Sequence, residues 1–179
     1  MNISVIGAGY VGLITGIGFA KLNHQVSIVD LNDDLIKNLN ENRPPFYEPE
    51  LVDYLNDSNI RNNLFFSTSY QKSINENTDI VFVCVQTPTD PDTGKTKTDY
   101  ISSVLTELKK IESFNFVICI KSTIKATLVE KISNEIDLDY KKIIFNPEFL
   151  REGSAFYDFF NPDRIVIGGS DQKGLNQCT

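Results

Sequence analysis

Short runs of β-branched and aromatic residues return along the chain at positions 3–6, 26–29, 64–66, 80–85, 116–120, 143–145 and 165–167. Each run is apolar at successive rather than alternate positions, which predicts strands buried on both faces. Between most of them the period changes. Leu13, Ile17, Phe19 and Ala20, and later Ile101, Val104, Leu105 and Leu108, recur at the spacing of one helix face. Strands that alternate with helices predict the α/β class: a Rossmann-like, doubly wound, mainly parallel sheet of roughly six to eight strands with helices on both faces. No internal repeat, Gly/Ser linker or shift in composition divides the chain, so 1–179 reads as a single domain. The polar stretch at 90–95 predicts an exposed turn, and the tail at 170–179 has no apolar pattern.

Composition narrows the function classes. With 41% hydrophobic and 23% charged residues the chain can bury an ordinary core. Seventeen Lys and Arg against 24 Asp and Glu give a net charge of −7, and no basic stripe is present to neutralise nucleic-acid phosphates. No apolar run approaches the roughly 20 residues of a spanning helix, and the first residues lack the pattern of a signal peptide, so a cytoplasmic protein without membrane contact is expected. Cys84 and Cys119 lie in apolar runs and Cys178 near the end; an odd count without Cys-x-x-Cys predicts reduced thiols, with neither a disulfide framework nor a metal site. His24 precedes the second strand and reads as a surface residue.

The sharpest motif is Gly7-Ala8-Gly9-Tyr10-Val11-Gly12, directly after the first strand and before the first helix. Gly7 permits a tight turn, Gly9 lets a pyrophosphate approach the backbone, and Gly12 allows the helix to pack closely on the strand. The helix N-terminus then faces the phosphates. Asp30 follows about 20 residues on, at the end of the next strand, where a carboxylate can accept bonds from an adenosine ribose. A 2′-phosphate would be repelled there and no arginine follows immediately, so NAD is expected rather than NADP.

Further chemistry gathers where later strands end. Thr87 and Thr123 lie in hydroxyl-bearing turns at the carboxyl edge, where open α/β sheets bind ligands, although a threonine so placed, taken singly, is more often a helix cap. Residues 42–51, rich in proline, read as a rigid structural connector. Asn146-Pro147-Glu148-Phe149-Leu150-Arg151-Glu152-Gly153-Ser154-Ala155 places two carboxylates and an arginine on one turn. If that turn is helical, Glu148 and Glu152 share a face, one as general base and the other fixing a polar substrate. The alternative is a solvated ion-pair turn built on Arg151.

Together the glycine fingerprint with Leu13, Asp30, Pro45-Phe46-Tyr47-Glu48-Pro49, Thr87-Pro88-Thr89, Lys121-Ser122-Thr123 and the 146–153 segment, with Asp158 and 162–168 behind it, resemble the UDP-glucose/GDP-mannose dehydrogenase family over essentially the whole chain. The resemblance implies two NAD-dependent oxidations that take a sugar C6 alcohol to a carboxylate through an aldehyde and a cysteine thioester. It also implies that Gly7, Gly9, Tyr10, Val11, Gly12, Asp30, Thr87, Thr123 and Glu152 bind the cofactor. Thr123, Glu152 and Glu148 would be catalytic, and Glu148, Phe149, Leu150, Arg151 and Glu152 would touch the nucleotide sugar, a UDP-sugar, with GDP-mannose or another nucleotide sugar as the alternative. A non-catalytic NAD-binding protein is the third possibility. Family members run to two or three domain lengths and assemble as homo-oligomers; their nucleophilic cysteine, lysine, asparagine and aspartate match nothing here. Cys178 lacks the glycine-rich setting of that nucleophile. The chain is therefore expected to be the N-terminal NAD-binding domain of such an enzyme, without the central helix and C-terminal sugar-binding domains. Leu35 departs from the basic residue often found five positions after the aspartate.

Overall fold

A strand with no polar face has to be covered on both sides, and the chain meets this by winding helices alternately over two faces of one sheet. The computed structural model describes residues 1–111 and 115–178. The order of elements is β1 (Asn2–Ile6), α1 (Tyr10–Lys21), β2 (Gln25–Val29), α2 (Asp33–Asn40), α3 (Leu51–Asn56), α4 (Ser58–Arg61), β3 (Leu64–Ser67), α5 (Tyr70–Ser73), β4 (Ile80–Val83), α6 (Asp99–Lys110), β5 (Val117–Ile120), α7 (Ala126–Glu135), a 3-10 turn (Tyr140–Lys142), β6 (Ile143–Phe145), α8 (Ala155–Phe160) and α9 (Gln172–Cys178). The six strands form one sheet in the order β3-β2-β1-β4-β5-β6, and every pairing between them is parallel.

Register decides which side chains share a face. Val5 lies beside Ile28 on one side and Phe82 on the other. With Ile80, Cys84, Val117, Cys119 and Ile144 they build the core beneath α1, α3, α4 and α8. The intervening residues Ile6, Val29, Val81, Val83, Ile118 and Ile120 build the second core with Ile101, Val104, Leu105 and Leu108 of α6. Helix α1 is apolar nearly all round because it is sandwiched: Ile28 lies against Gly16 on the sheet side, and the Phe159 ring of α8 lies against Gly18 on the other.

Two segments differ from the sequence pattern. Residues 165–167 do not form a strand; Ile165 is 66% exposed, and the sheet edge receives only an antiparallel bridge between Phe145 and Gly168. Arg164, with its guanidinium 4.5 Å from the Phe149 ring, instead leads this segment across the surface. The tail at 172–178 is helical although its apolar pattern is weak. Asp171 supplies the signal, its carboxylate accepting from the backbone N–H groups of Lys173 (3.2 Å) and Gly174 (3.0 Å). The stretch at 90–95 is the exposed turn expected, closed by a Thr89–Thr96 bridge.

The tightest junction in the fold is between the β1 turn and α1. Gly7 has φ +99°, and a Cβ there would lie 2.8 Å from the Cys84 carbonyl oxygen. A Cβ on Gly12 would lie 1.9 Å from the Gly7 carbonyl oxygen, a backbone atom that cannot swing aside. Gly12→Ala therefore has to push α1 off the sheet, with an expected loss of about 1–3 kcal/mol or more from overpacking, measured as a fall in melting temperature against the wild type.

Candidate functional site

Strand order reverses between β2-β1 and β4, and the glycine turn emerges at that point. The Gly7 N–H donates to the Val29 carbonyl at 2.7 Å, so the turn hangs from β2. Asp30, the next residue of that strand's exit, braces it from below: its carboxylate accepts from the Ala8 N–H at 2.8 Å and from the Asn32 N–H at 3.0 Å. Each carboxylate oxygen keeps lone-pair capacity for a further donor such as a ribose hydroxyl. Apart from Gly9 and its chain neighbours, no atom of the described residues lies within 4 Å of where a Cβ on Gly9 would point. The three glycines thus have three different surroundings, two filled by the fold and one left open above the N-terminus of α1.

A cleft of about 420 Å³ runs from this turn across the β2 and β4 exits, lined among others by Gly7, Gly9, Asp30, Leu35, Tyr70, Gln86, Tyr100 and Val104. Leu35 and Val104 are among its apolar lining residues. Leu35 is thus a wall of the same cleft that Asp30 enters. Sequence reading missed Tyr70, Gln86 and Tyr100. They come from α5, the β4 exit and α6, and only strand order brings them beside Asp30. A hollow of about 460 Å³ at the opposite, amino edge of β1–β3 is lined largely by asparagines and serines, far from the glycine turn.

A second cluster lies beyond the glycine turn. The Thr87 hydroxyl donates to the Thr123 carbonyl at 2.8 Å, the Ser122 hydroxyl to the Val85 carbonyl at 2.6 Å, and Lys121 Nζ to Asn146 Oδ1 at 3.1 Å. The exits of β4, β5 and β6 are thereby stitched into one rim. The 146–154 segment is not helical, so Glu148 and Glu152 do not share a helix face. Glu148 turns back to accept from the Leu150 N–H at 2.7 Å, whereas Glu152 is exposed. Arg151 pairs with neither: its guanidinium grips Asp158 at 2.6 and 3.1 Å while its N–H donates to the same carboxylate at 2.9 Å. These bonds with Arg151 hold the Asp158 carboxyl down to about 2. Phe149 is half exposed, and Leu150 packs on the core beneath α1.

The two clusters meet through a residue that the sequence marked only as part of a connector. Glu48 is 3% exposed, and its carboxylate accepts from the Tyr10 hydroxyl (2.8 Å), the Gly153 N–H (2.8 Å) and the Ala155 N–H (2.9 Å). Tyr10 therefore points away from the cleft, with its ring 5.1 Å from Phe46 and its hydroxyl facing the Arg151 carbonyl at 3.3 Å. Val11 is half-buried against the core. Tyr10, Val11, Thr87, Thr123, Glu148 and Glu152 are outside the cleft that holds Gly7, Gly9 and Asp30. They border the neighbouring stretch of the carboxyl edge. Glu48 went unread because nothing in the spacing of a proline-rich turn says that its carboxylate is buried. Among the described residues no group of three His, Cys, Asp or Glu could hold a metal ion, and no helix is long and apolar enough to cross a membrane.

Burial raises the Glu48 pKa, but the Gly153 and Ala155 N–H groups and the Tyr10 hydroxyl outweigh it, and the net shift is downward from 4.5. A lowered native pKa contributes stability above the unfolded value of about 4.3 and loses it as pH falls through the native value. Glu48→Gln, which turns an amide toward one of three donors, is expected to cost about 1–3 kcal/mol at pH 7. It should also flatten the acid dependence below about pH 4.3, measured by denaturant titration from pH 7 to pH 3. Equal acid dependence in the variant and wild type would show that Glu48 does not carry this contribution.

The comparisons agree with this geometry. The sequence profile of the UDP-glucose/GDP-mannose dehydrogenase family, NAD binding domain, matches residues 1–179. An uncharacterized protein of Methanocaldococcus jannaschii is 40% identical over 171 residues, covering 94% of this chain and 18% of the relative. The UDP-glucose 6-dehydrogenase YwqF of Bacillus subtilis is 35% identical over 184 residues, covering 98% of this chain and 41% of the enzyme. The structure of a UDP-glucose dehydrogenase from Pyrobaculum islandicum superposes with a TM-score of 0.86 at 34% identity, over 98% of this chain and 42% of that one. The chain thus spans about two fifths or less of the length of these relatives. A glycine turn at the strand-order reversal, an aspartate beside it and a 146–155 turn locked to α1, found together with a profile match from first residue to last, place this chain in the UDP-glucose/GDP-mannose dehydrogenase family as its NAD-binding domain.

Proposed function

We propose that the chain holds NAD for the oxidation of UDP-glucose to UDP-glucuronate by a longer enzyme, and that it binds the cofactor but does not turn over alone. The observation that carries the reading is the open space at Gly9, framed by two glycines whose own space is filled. A Cβ at Gly9 would occupy the position a pyrophosphate needs, while the backbone N–H groups at the head of α1 supply donors and a positive dipole end. Asp30 would take the ribose hydroxyls, and the apolar lining of the cleft at Leu35 the adenine. A bare carboxylate at that point favours NAD over its 2′-phosphorylated form.

Bound there, NAD would supply hydride acceptance. The residues of this chain do the positioning. Thr87 and Thr123, bonded to each other, would form the wall beside the nicotinamide, with Val11 beneath. Glu152 and Thr123 stand exposed on the rim, where they would orient a water molecule, and Glu148 lies on the same turn. The 148–152 turn, with Phe149, Leu150 and Arg151, would present itself to the nucleotide sugar, and the Arg151–Asp158 pair fixes its shape. Relatives more than twice as long support placing the rest of the sugar site and the nucleophile on further domains.

The test is calorimetric titration of this chain with NAD, NADP and UDP-glucose. Saturable NAD binding is expected, with NADP much weaker and UDP-glucose silent. Asp30→Ala should loosen NAD by about 1–3 kcal/mol, the scale of losing hydrogen bonds to a charged group. Gly9→Ala should keep the wild-type melting temperature yet weaken NAD binding, because its Cβ enters the phosphate position and meets nothing beyond its chain neighbours. Absence of NAD binding, or unchanged affinity in both variants, would overturn the assignment. Oxidation of GDP-mannose rather than UDP-glucose by a longer polypeptide carrying this chain would replace the substrate.

A further inference from the structure

The cofactor reading leaves one pair of reactive side chains unused. Cys119 is fully buried on β5 and Cys178 is half-buried in α9, and the fold brings them together by register. Cys119 is paired with Ile144 across β5 and β6. Ile144 is in turn the residue on which α9 rests: a Cβ on Gly174 would lie 3.1 Å from Ile144 Cγ1. Cys178 lies one helical turn beyond Gly174, hence on the same face of α9, and it packs against the core that contains Cys119. The two thiols are close enough for each to shift the ionisation of the other.

We propose that Cys119 and Cys178 form a dithiol–disulfide site, oxidised by small disulfides and reduced by small thiols, whose closure fastens α9 to the strand carrying the Lys121–Thr123 rim. Cys178 is the entry point because it alone of the two is accessible. Its thiolate attacks one sulfur of the small disulfide, forming a mixed disulfide and expelling one small thiolate. Cys119 then loses its proton and attacks Sγ of Cys178, which expels the second small thiolate. The balance is two protein thiols and one small disulfide giving one protein disulfide and two small thiols, with two electrons passing to the oxidant. The pair is primed for this order: the neighbouring Cys119 lowers the Cys178 thiol below its ordinary value, while Cys178 and burial raise Cys119. Cys84 is the contrasting thiol, buried beneath the glycine turn and pushed up to about 12 by that burial.

The full chain is incubated with oxidised glutathione, unreacted thiols are alkylated, and tryptic peptides are mapped before and after reduction. The expected product is a monomer in which peptides 111–121 and 174–179 are joined and short of two hydrogens, with Cys84 alkylated only after unfolding. Reduction should separate the peptides. Oxidation should also raise the melting temperature of the wild type by several degrees and leave that of Cys178→Ser unchanged. Alkylation of both Cys119 and Cys178 after oxidation, a link involving Cys84, a link between two chains, or a wild-type melting temperature insensitive to oxidation would overturn the proposal. The peptide map is read on the wild type, so it decides the matter even if the variant does not fold.

Discussion

A carboxylate removed from water is tolerated only when donors replace its hydration, and at Glu48 three donors from distant segments do so. The relative placement of the dinucleotide helix, the proline turn and the 146–154 turn depends on that convergence. Packing of Phe46, Tyr10 and Leu150 on the same core brings these segments together, but such contact is non-directional and would allow them to slide. The carboxylate does not: Gly153 and Ala155 must present their N–H groups, and Tyr10 its hydroxyl, within hydrogen-bond distance of two oxygens. The 146–154 turn and the helix that begins at the glycine turn are thus held by one group. The proline turn becomes functional architecture by carrying it.

Around that anchor the sheet divides the work. Its order turns at β1, and β2 and β4 diverge on either side, so the residues leaving their carboxyl ends frame a crevice without any of them being neighbours in sequence. On the β2 side, Asp30 both braces the glycine turn and faces the crevice. On the β4 side, Thr87, Ser122, Lys121 and Asn146 use side-chain bonds to backbone or amide oxygens to keep three strand exits in a fixed rim. Close packing of α1 on the sheet serves the same end, since it brings the helix N-terminus, with its unpaired N–H groups, up to the crevice. The same layering that builds the site also carries Cys119 beneath α9.

Several elements were legible in the residues themselves. Six apolar runs of strand length and the glycine fingerprint carry their meaning locally, because burial on both faces and the need for a turn without Cβ are properties of a few adjacent positions. The run at 165–167 has the same composition and does not become a strand. Among the described residues its ladder contact with β6 is the one bridge at Gly168, and composition does not report whether a partner strand is present. Helix α9 was hidden for the complementary reason: it touches the core only through Gly174, Leu175 and Cys178 among the described residues, too few to set a pattern, and its start is one aspartate cap.

The sequence by itself determined the α/β alternation, the glycine turn with its aspartate, and the family, since each rests on local backbone demands or on a motif read in order. Only the tertiary structure decided that Glu48 is buried, that Arg151 grips Asp158 rather than Glu148 or Glu152, that Tyr10 turns away from the cleft, and that Cys119 meets Cys178. Most of those outcomes are pairings between residues far apart in the chain, and the Arg151–Asp158 pair, seven residues apart, is set by the non-helical turn between them. A charge or thiol has many candidate partners until strand order and register place one of them within reach, and the cost of leaving a buried polar group unpaired then selects it.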